Sequence, residues 1–340
     1  VVAAKRKPGA VLLLLAAAIT VCFLVHIAVG SSNLLSLSAV VKQITTGPTV
    51  VSDTPNYIVW SLRMPRSIEC VLVGALLGSV GSVFQALLRN PLADPYVVGV
   101  SSGAALGGVA ALVFGASAVL GTLGIAAGGC VTGVLTLVLV YRVSVRRGVV
   151  DVRILLLSGV VIGSLLSAIL SLILLLSGRN EVDVLHWLMG DTSHSDWPQN
   201  ALLAITLVVG FALLYRESRQ LNAFAIGEDT AKRLGVDVQK LTKTILLVGG
   251  VMTAVAVGTV GVIAFLGLVA PHIARKLVGV DWRWSMPASL GIGALLLLAS
   301  DIIAQRLFSV VTRQPGMDLP VGIVTSILGA PSLLLLLRKT

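Results

Sequence analysis

The segment Gln85-Ala86-Leu87-Leu88-Arg89-Asn90-Pro91-Leu92-Ala93-Asp94-Pro95-Tyr96 separates two apolar runs, the second of which opens through Gly99-Val100-Ser101-Ser102-Gly103-Ala104. Two prolines four residues apart stop one helix and shape the entry to the next. The flanking runs approach the roughly 20 apolar residues that a bilayer crossing requires. Outward from this turn the pattern repeats, with apolar stretches at 11–30, 67–89, 96–115, 117–142, 154–177, 198–216, 241–258, 261–279, 284–308 and 320–338. Backbone polar groups in hydrocarbon must be bonded within their own segment, so the crossings are helices. The fold class is an all-α integral membrane protein of about ten transmembrane helices, with residues 1–340 forming a single transmembrane domain. Gly258, Gly261 and Pro271 interrupt the stretch around 241–279, so one helix there is expected to be short or bent.

Composition agrees with this reading. Of the 340 residues, 56% are apolar and 12% charged, about half the charge of an ordinary soluble domain. The excess of ten positive charges comes without a basic stripe interleaved with aromatics, which excludes a nucleic-acid surface. The basic residues follow membrane topology instead. With a cytoplasmic N-terminus and every stretch crossing, Lys5, Arg6, Lys7, Arg89, Arg142, Arg146, Arg147, Arg153, Arg216, Arg219, Lys232, Arg233, Lys240, Lys243, Arg275, Lys276, Arg283, Arg338 and Lys339 lie inside, 19 of the 25. Lys42, Arg63, Arg66, Arg179, Arg306 and Arg313 lie outside. That asymmetry is the positive-inside rule, and it places both termini in the cytoplasm. Lys5-Arg6-Lys7 ahead of an apolar run imitates a signal peptide, but no cleavage site closes the run, so it reads as a retained first helix.

Several chemistries are missing. No glycine is followed by lysine, so there is no phosphate cradle of the GxxxxGK[ST] kind. Cys22, Cys70 and Cys130 lie apart in apolar stretches, which suits buried thiols better than a disulfide or zinc site. No metal-ligand set is expected. No span carries a midplane acid pair or an Asp–His relay, so an ion-coupled secondary transporter is the weaker alternative. Glycines four apart (Gly74 and Gly78, Gly99 and Gly103, Gly103 and Gly107, Gly124 and Gly128, Gly129 and Gly133) predict close helix contact. His186 and His194, with Trp187, Asp191, Asp196 and Trp197, read as an interfacial belt.

Five motifs agree in order and spacing: Arg63-Met64-Pro65-Arg66; the Gln85–Ala104 turn; Leu221-Asn222-Ala223-Phe224-Ala225-Ile226-Gly227-Glu228-Asp229-Thr230-Ala231-Lys232-Arg233-Leu234-Gly235-Val236; Gly261–Arg275 with Pro271-His272; and Asp318–Thr325 with Gly329-Ala330-Pro331. From about Arg63 to Leu337 the chain resembles the FecCD/BtuC family, the permeases of type II ABC importers for iron–siderophores, haem and vitamin B12. The resemblance implies a non-enzymatic membrane subunit that pairs with a second permease, a homodimer being expected, around one pathway in a prokaryotic plasma membrane. It implies two ABC ATPase subunits, which hold ATP and magnesium while this chain binds no cofactor, and a periplasmic or lipid-anchored binding protein. Ferric siderophore or haem is the expected cargo, with cobalamin as the alternative.

The resemblance also assigns residues. The 217–240 loop carries ATPase coupling through Gly227, Glu228, Ala231 and Gly235. Its acids ahead of its bases describe a short helix closed at both ends. Arg63 and Arg66 dock the binding protein. The family's third arginine falls on Gln305, so Arg306, or Arg313, is expected in its place, beside an enlarged outer loop. Asn90 and Leu92 form the cytoplasmic gate, with Val150, Asp151 and Val152 as a second constriction. Ser158, Gly163, Ser164 and Ser167 line the translocation path.

Overall fold

The computed structural model describes residues 7–30, 35, 37–48, 54–177, 181–312 and 318–337. Ten helices of thirteen or more residues carry the architecture among the described residues: α1 (Pro8–Val29), α2 (Met64–Leu87), α3 (Val100–Val113), α4 (Thr122–Ser144), α5 (Val152–Ser177), α6 (Trp197–Arg216), α7 (Val238–Val260), α8 (Leu266–Val278), α9 (Trp282–Thr312) and α10 (Val321–Leu337). They match the ten apolar stretches one for one. Seven helices are long and apolar enough to cross a membrane. The three left over, α3, α8 and α10, have 14, 13 and 17 residues, short of the roughly 20 a full crossing takes. The expected break near Gly261 is real. α7 stops at Val260, Gly261 takes a φ of +74°, and α8 starts five residues later from Phe265, itself at +68°.

Packing follows the small residues. α2 is the central helix, with 89% of the apolar window of Thr54–Leu87 buried. Its Gly74 and Gly78 lie directly against Gly293 and Ser289 of α9, and a methyl group on Gly74 would collide with the Gly293 carbonyl. Gly107 of α3 meets Gly128 of α4 in the same way. Such contact lets helices gain dispersion energy in lipid, where the hydrophobic effect offers none between them. By contrast, only 11% of the corresponding window of α5 is buried, and 17% of that of α1.

Four features were not expected. Residues Leu37–Thr46 form a helix that Asn56 and Trp60 pin through Gln43: Asn56 Nδ2 donates to Gln43 Oε1 at 2.9 Å and Trp60 Nε1 to the Gln43 carbonyl at 3.1 Å. A π-helical turn, Ile58–Arg63, leads into α2. Strands β1 (Val145–Arg146) and β2 (Val149–Val150) pair across Arg147 and Gly148, both at positive φ, as a two-residue hairpin turn demands. The fourth is α9 itself, which runs to Thr312. The segment read as an enlarged outer loop is therefore largely helix; Arg313 lies outside the described residues.

Candidate functional site

At the end of the bundle that holds Arg66, a polar cluster joins five parts of the chain. Asp301 of α9 is fully buried. It accepts from Arg66 Nε at 2.8 Å and Arg66 Nη2 at 2.9 Å, from Thr192 Oγ1 at 2.8 Å and from Gln305 Nε2 at 2.7 Å. His26 Nε2 of α1 lies 2.7 Å from the same carboxylate, and His26 Nδ1 lies 2.8 Å from Ser67 Oγ. Arg66 also donates to Asp318, just before α10. α1 and α9 thus supply an Asp–His contact from 275 positions apart, which no single span displays in the sequence. Ligand-type atoms of His26, Cys70 and Asp301 gather within 4.8 Å. Five donor contacts already occupy the Asp301 carboxylate, and a guanidinium beside it opposes a second cation, so the set is structural.

The arginines expected to dock a binding protein are likewise turned inward. The Arg66 side chain is 11% exposed and Arg63 is buried. Arg63 Nη1 donates to the carbonyls of Ile27 and Ala28 at 2.9 and 3.1 Å, and Arg306 Nη2 to that of Val29 at 2.8 Å. Two guanidinium groups thus cap the last turn of α1, whose carbonyls have no partner in their own helix. Gln305, where the resemblance implies an arginine, completes the Asp301 cluster. Beside it, Glu69 is buried with Oε1 unpaired among the described residues. Just outside the spans, Asp191 is partly buried, which opposes its charge. Hydrogen bonds from His194 and Ser193 prevail and hold its carboxyl below the usual range.

At the opposite end of α2 the Pro-bounded turn is held by its own side chains. Asn90 Oδ1 accepts from the Leu92 amide at 2.9 Å, and Asp94 Oδ1 from the Tyr96 amide at 2.9 Å. Tyr96 Oη donates to the Ile263 carbonyl at 2.8 Å. Asn90 and Leu92, the residues expected to form the gate, are exposed. Burial pushes the Asp94 carboxyl up to about 6, against the Tyr96 amide, which pulls it down. Arg89, at φ +47°, lays its guanidinium 4.4 Å from the ring centre of Phe224. Arg275 Nη2 donates to Gln85 Oε1 at 2.6 Å. The turn is thereby tied to α8 on one side and to the 217–240 loop on the other. Val150 and Asp151 do not form an open constriction. Val150 is buried in β2, its amide donating to Gln239 Oε1 at 2.9 Å, and Asp151 Oδ1 caps α5 through the amides of Arg153 and Ile154. Val152 is half-buried at the first position of that helix.

The 217–240 loop is two helices, Ser218–Ile226 and Glu228–Arg233, hinged at Gly227. Asn222 Nδ2 donates to Asp281 Oδ1 at 2.8 Å and clasps the first helix to the start of α9. Hydrogen bonds from Arg283 and Asn222 keep the Asp281 carboxyl below its usual range, although some desolvation opposes them. In the second helix Lys232 pairs with Glu228 at 2.9 Å. Val236 N–H bonds to the Ala231 carbonyl and Gly235 N–H to that of Lys232, both at 3.0 Å, with Gly235 at φ +82°. This is the Schellman closure. Ala231 is buried, anchoring the helix from below, while Ile226 and Leu234 stand 73% and 65% exposed on an otherwise polar loop. Sequence reasoning passed over those two apolar knobs, although their place in a charged segment was the available signal.

The path residues divide between two faces. Ser158 is buried and bonds back to the Leu155 carbonyl at 3.0 Å, and Gly163 is buried beside Ser102 of α3. Neither lines an open surface, because small residues here let α5 pack. Ser164 and Ser167 are exposed, and Ser171, unremarked in the sequence, continues their stripe seven residues after Ser164.

A family model described as the FecCD transport family matches residues 17–339. The chain belongs to the FecCD transport family. It is 40% identical over 298 residues to YvrB, an uncharacterized ABC transporter permease of Bacillus subtilis, covering 86% of this chain and 82% of that one. It is 39% identical over 288 residues to the cobalamin import permease BtuC of Halobacterium salinarum, covering 85% and 75%. A solved inward-facing structure of a transporter assigned to the metal-chelate ABC type superposes with a TM-score of 0.83 at 27% identity, covering 98% of this chain and all of the other. This FecCD chain is a non-enzymatic permease subunit of an ABC importer, a multi-pass protein of a prokaryotic plasma membrane. The geometry above is that of its two faces.

Proposed function

We propose that two copies of this chain enclose one pathway for a bulky metal chelate, driven by a pair of ATPase subunits on the 217–240 side and supplied by a binding protein on the other. ATP and magnesium belong to the ATPases, and both termini lie on their side. The observation that carries this reading is α5. It is exposed along most of its length, yet it presents Ser164, Ser167 and Ser171 among leucines. Ser171 Oγ bonds back to the Ser167 carbonyl at 3.0 Å, but the remaining hydroxyl capacity of the stripe is met by water and not by lipid, so facing a second copy it lines a wet path with weak, dispersed contacts. The exposed Ile226 and Leu234 support the loop as the ATPase contact, with Gly227, Glu228, Ala231 and Gly235 shaping it. Arg63, Arg66 and Arg306 brace the outer end from within. The cobalamin permease among the relatives favours a corrinoid cargo over a ferric siderophore or haem.

The test is purification in mild detergent followed by uptake in proteoliposomes that contain the co-purifying chains. A stoichiometric partner with a phosphate-binding GxxxxGK[ST] motif and ATP-dependent uptake of radiolabelled cobalamin are expected. Uptake of a ferric siderophore or haem instead would change the cargo alone. Uptake driven by an ion gradient without ATP would overturn the importer reading.

A further inference from the structure

Between α6 and α7 lies an open apolar groove of about 400 Å³, lined by Ile205, Val209 and Leu213 on one wall and Leu247, Val251 and Met252 on the other. From Ile205 to Leu213 it runs about 12 Å along the helix, at 1.5 Å per residue. That is close to the depth of one leaflet's hydrocarbon, half of roughly 30 Å. The α6 wall recurs at intervals of four, and Arg216 extends it, three residues past Leu213 and seven past Val209. On α7, Lys243 stands four residues before Leu247 and eight before Val251. Positions three, four, seven and eight apart share a helix face. Arg216 and Lys243 are both exposed, so two cations stand over the same end of one groove. That end is the one where this chain gathers its lysines and arginines, the cytoplasmic side by the positive-inside rule.

We infer that the groove seats one acyl chain of an anionic phospholipid of the inner leaflet, with its phosphate held between Arg216 and Lys243. The wall chemistry suits a hydrocarbon chain, the length suits a single leaflet, and the charge at the open end selects the headgroup. The inference rests on membrane insertion and not on the importer reading, and its readout is lipid retention rather than uptake.

The experiment is native mass spectrometry of the full-length permease taken from nanodiscs of equal parts phosphatidylglycerol and phosphatidylcholine. Wild type is expected to retain phosphatidylglycerol preferentially, and Arg216→Gln and Lys243→Gln each to cut that preference about fivefold. Val251→Trp, which fills the groove and keeps both charges, is expected to lose the bound lipid. Thr206→Phe fills it from the α6 side and serves if Val251→Trp does not fold. Equal retention of both lipids by wild type overturns the proposal. So does a groove-filling variant that keeps its lipid, including one that instead splits a dimer, which would mark the groove as a protein contact.

Discussion

Asp301 concentrates the chemistry of the outer end in one side chain. Its oxygens receive Arg66, Thr192 and Gln305, and His26 closes against it. Asp301→Ala would leave the Arg66 guanidinium buried with Asp318 as its remaining acid. Breaking a buried pair in this way costs about 3–5 kcal/mol, so a lower unfolding temperature in detergent and reduced membrane yield are expected. An unchanged melting curve would remove Asp301 from its bracing role. At the inner turn, Asp94 has its carboxyl raised by burial to about 6, above the ordinary value of about 3.9. Between those values the folded chain holds the proton and the unfolded chain does not. Stability therefore falls as pH rises from about 4 to 6 and is level above. Asp94→Asn keeps the acceptor for Tyr96 N–H and should flatten that slope, as read by thermal unfolding across the same pH range.

At the scale of elements, the contact that matters links the gate turn to the 218–226 helix. Arg89 over Phe224 contributes about 0.5–2 kcal/mol, depending on its hydration. It joins the turn preceding α3 to the pair of helices proposed above as the ATPase contact. Phe224→Leu preserves most of the buried volume but removes the ring face. The expected result is ATPase activity retained and uptake reduced several-fold, and equal loss of both would make Phe224 a packing residue only. Gly235 gives a second test. Its left-handed backbone closes the 228–233 helix, and nothing lies within 4 Å of where a Cβ would stand, so backbone strain and not collision penalises substitution. Gly235→Asn, which tolerates that conformation, should keep uptake near wild type, while Gly235→Arg should abolish it with insertion intact. Wild-type uptake by Gly235→Arg would dismiss this helix as the coupling element.

At the scale of the molecule, exposure separates two kinds of surface. α5 shows serines on its open face, whereas α6 and α7 show an aliphatic groove. In a background lacking Cys22 and Cys130, Ser164→Cys should react with a charged, membrane-impermeant thiol reagent and crosslink to its mate. Val209→Cys, exposed on α6, should do neither. The reverse pattern would exchange the roles of the two faces.

Much of this protein was legible in order along the chain. Span positions follow from apolar run length, because hydrocarbon forces each segment to satisfy its own backbone. The Pro91–Pro95 turn and the closed helix ending at Gly235 depend on neighbours within a few residues, and local sequence states them; the Gly74–Gly78 spacing announces a close helix contact but does not name α9 as the partner. Family membership rested on motifs that can be read in the same way. What the sequence could not assign was direction. Arg63, Arg66 and Arg306 read as outward cations because scarcity on the outer side was the visible signal. Their partners, the α1 carbonyls and Asp301, lie 35 to 277 positions away. Ser158 and Ser164 looked alike until packing buried one and exposed the other. Burial cancels or keeps a polar group's cost according to which distant group meets it, and only the tertiary structure decides that meeting.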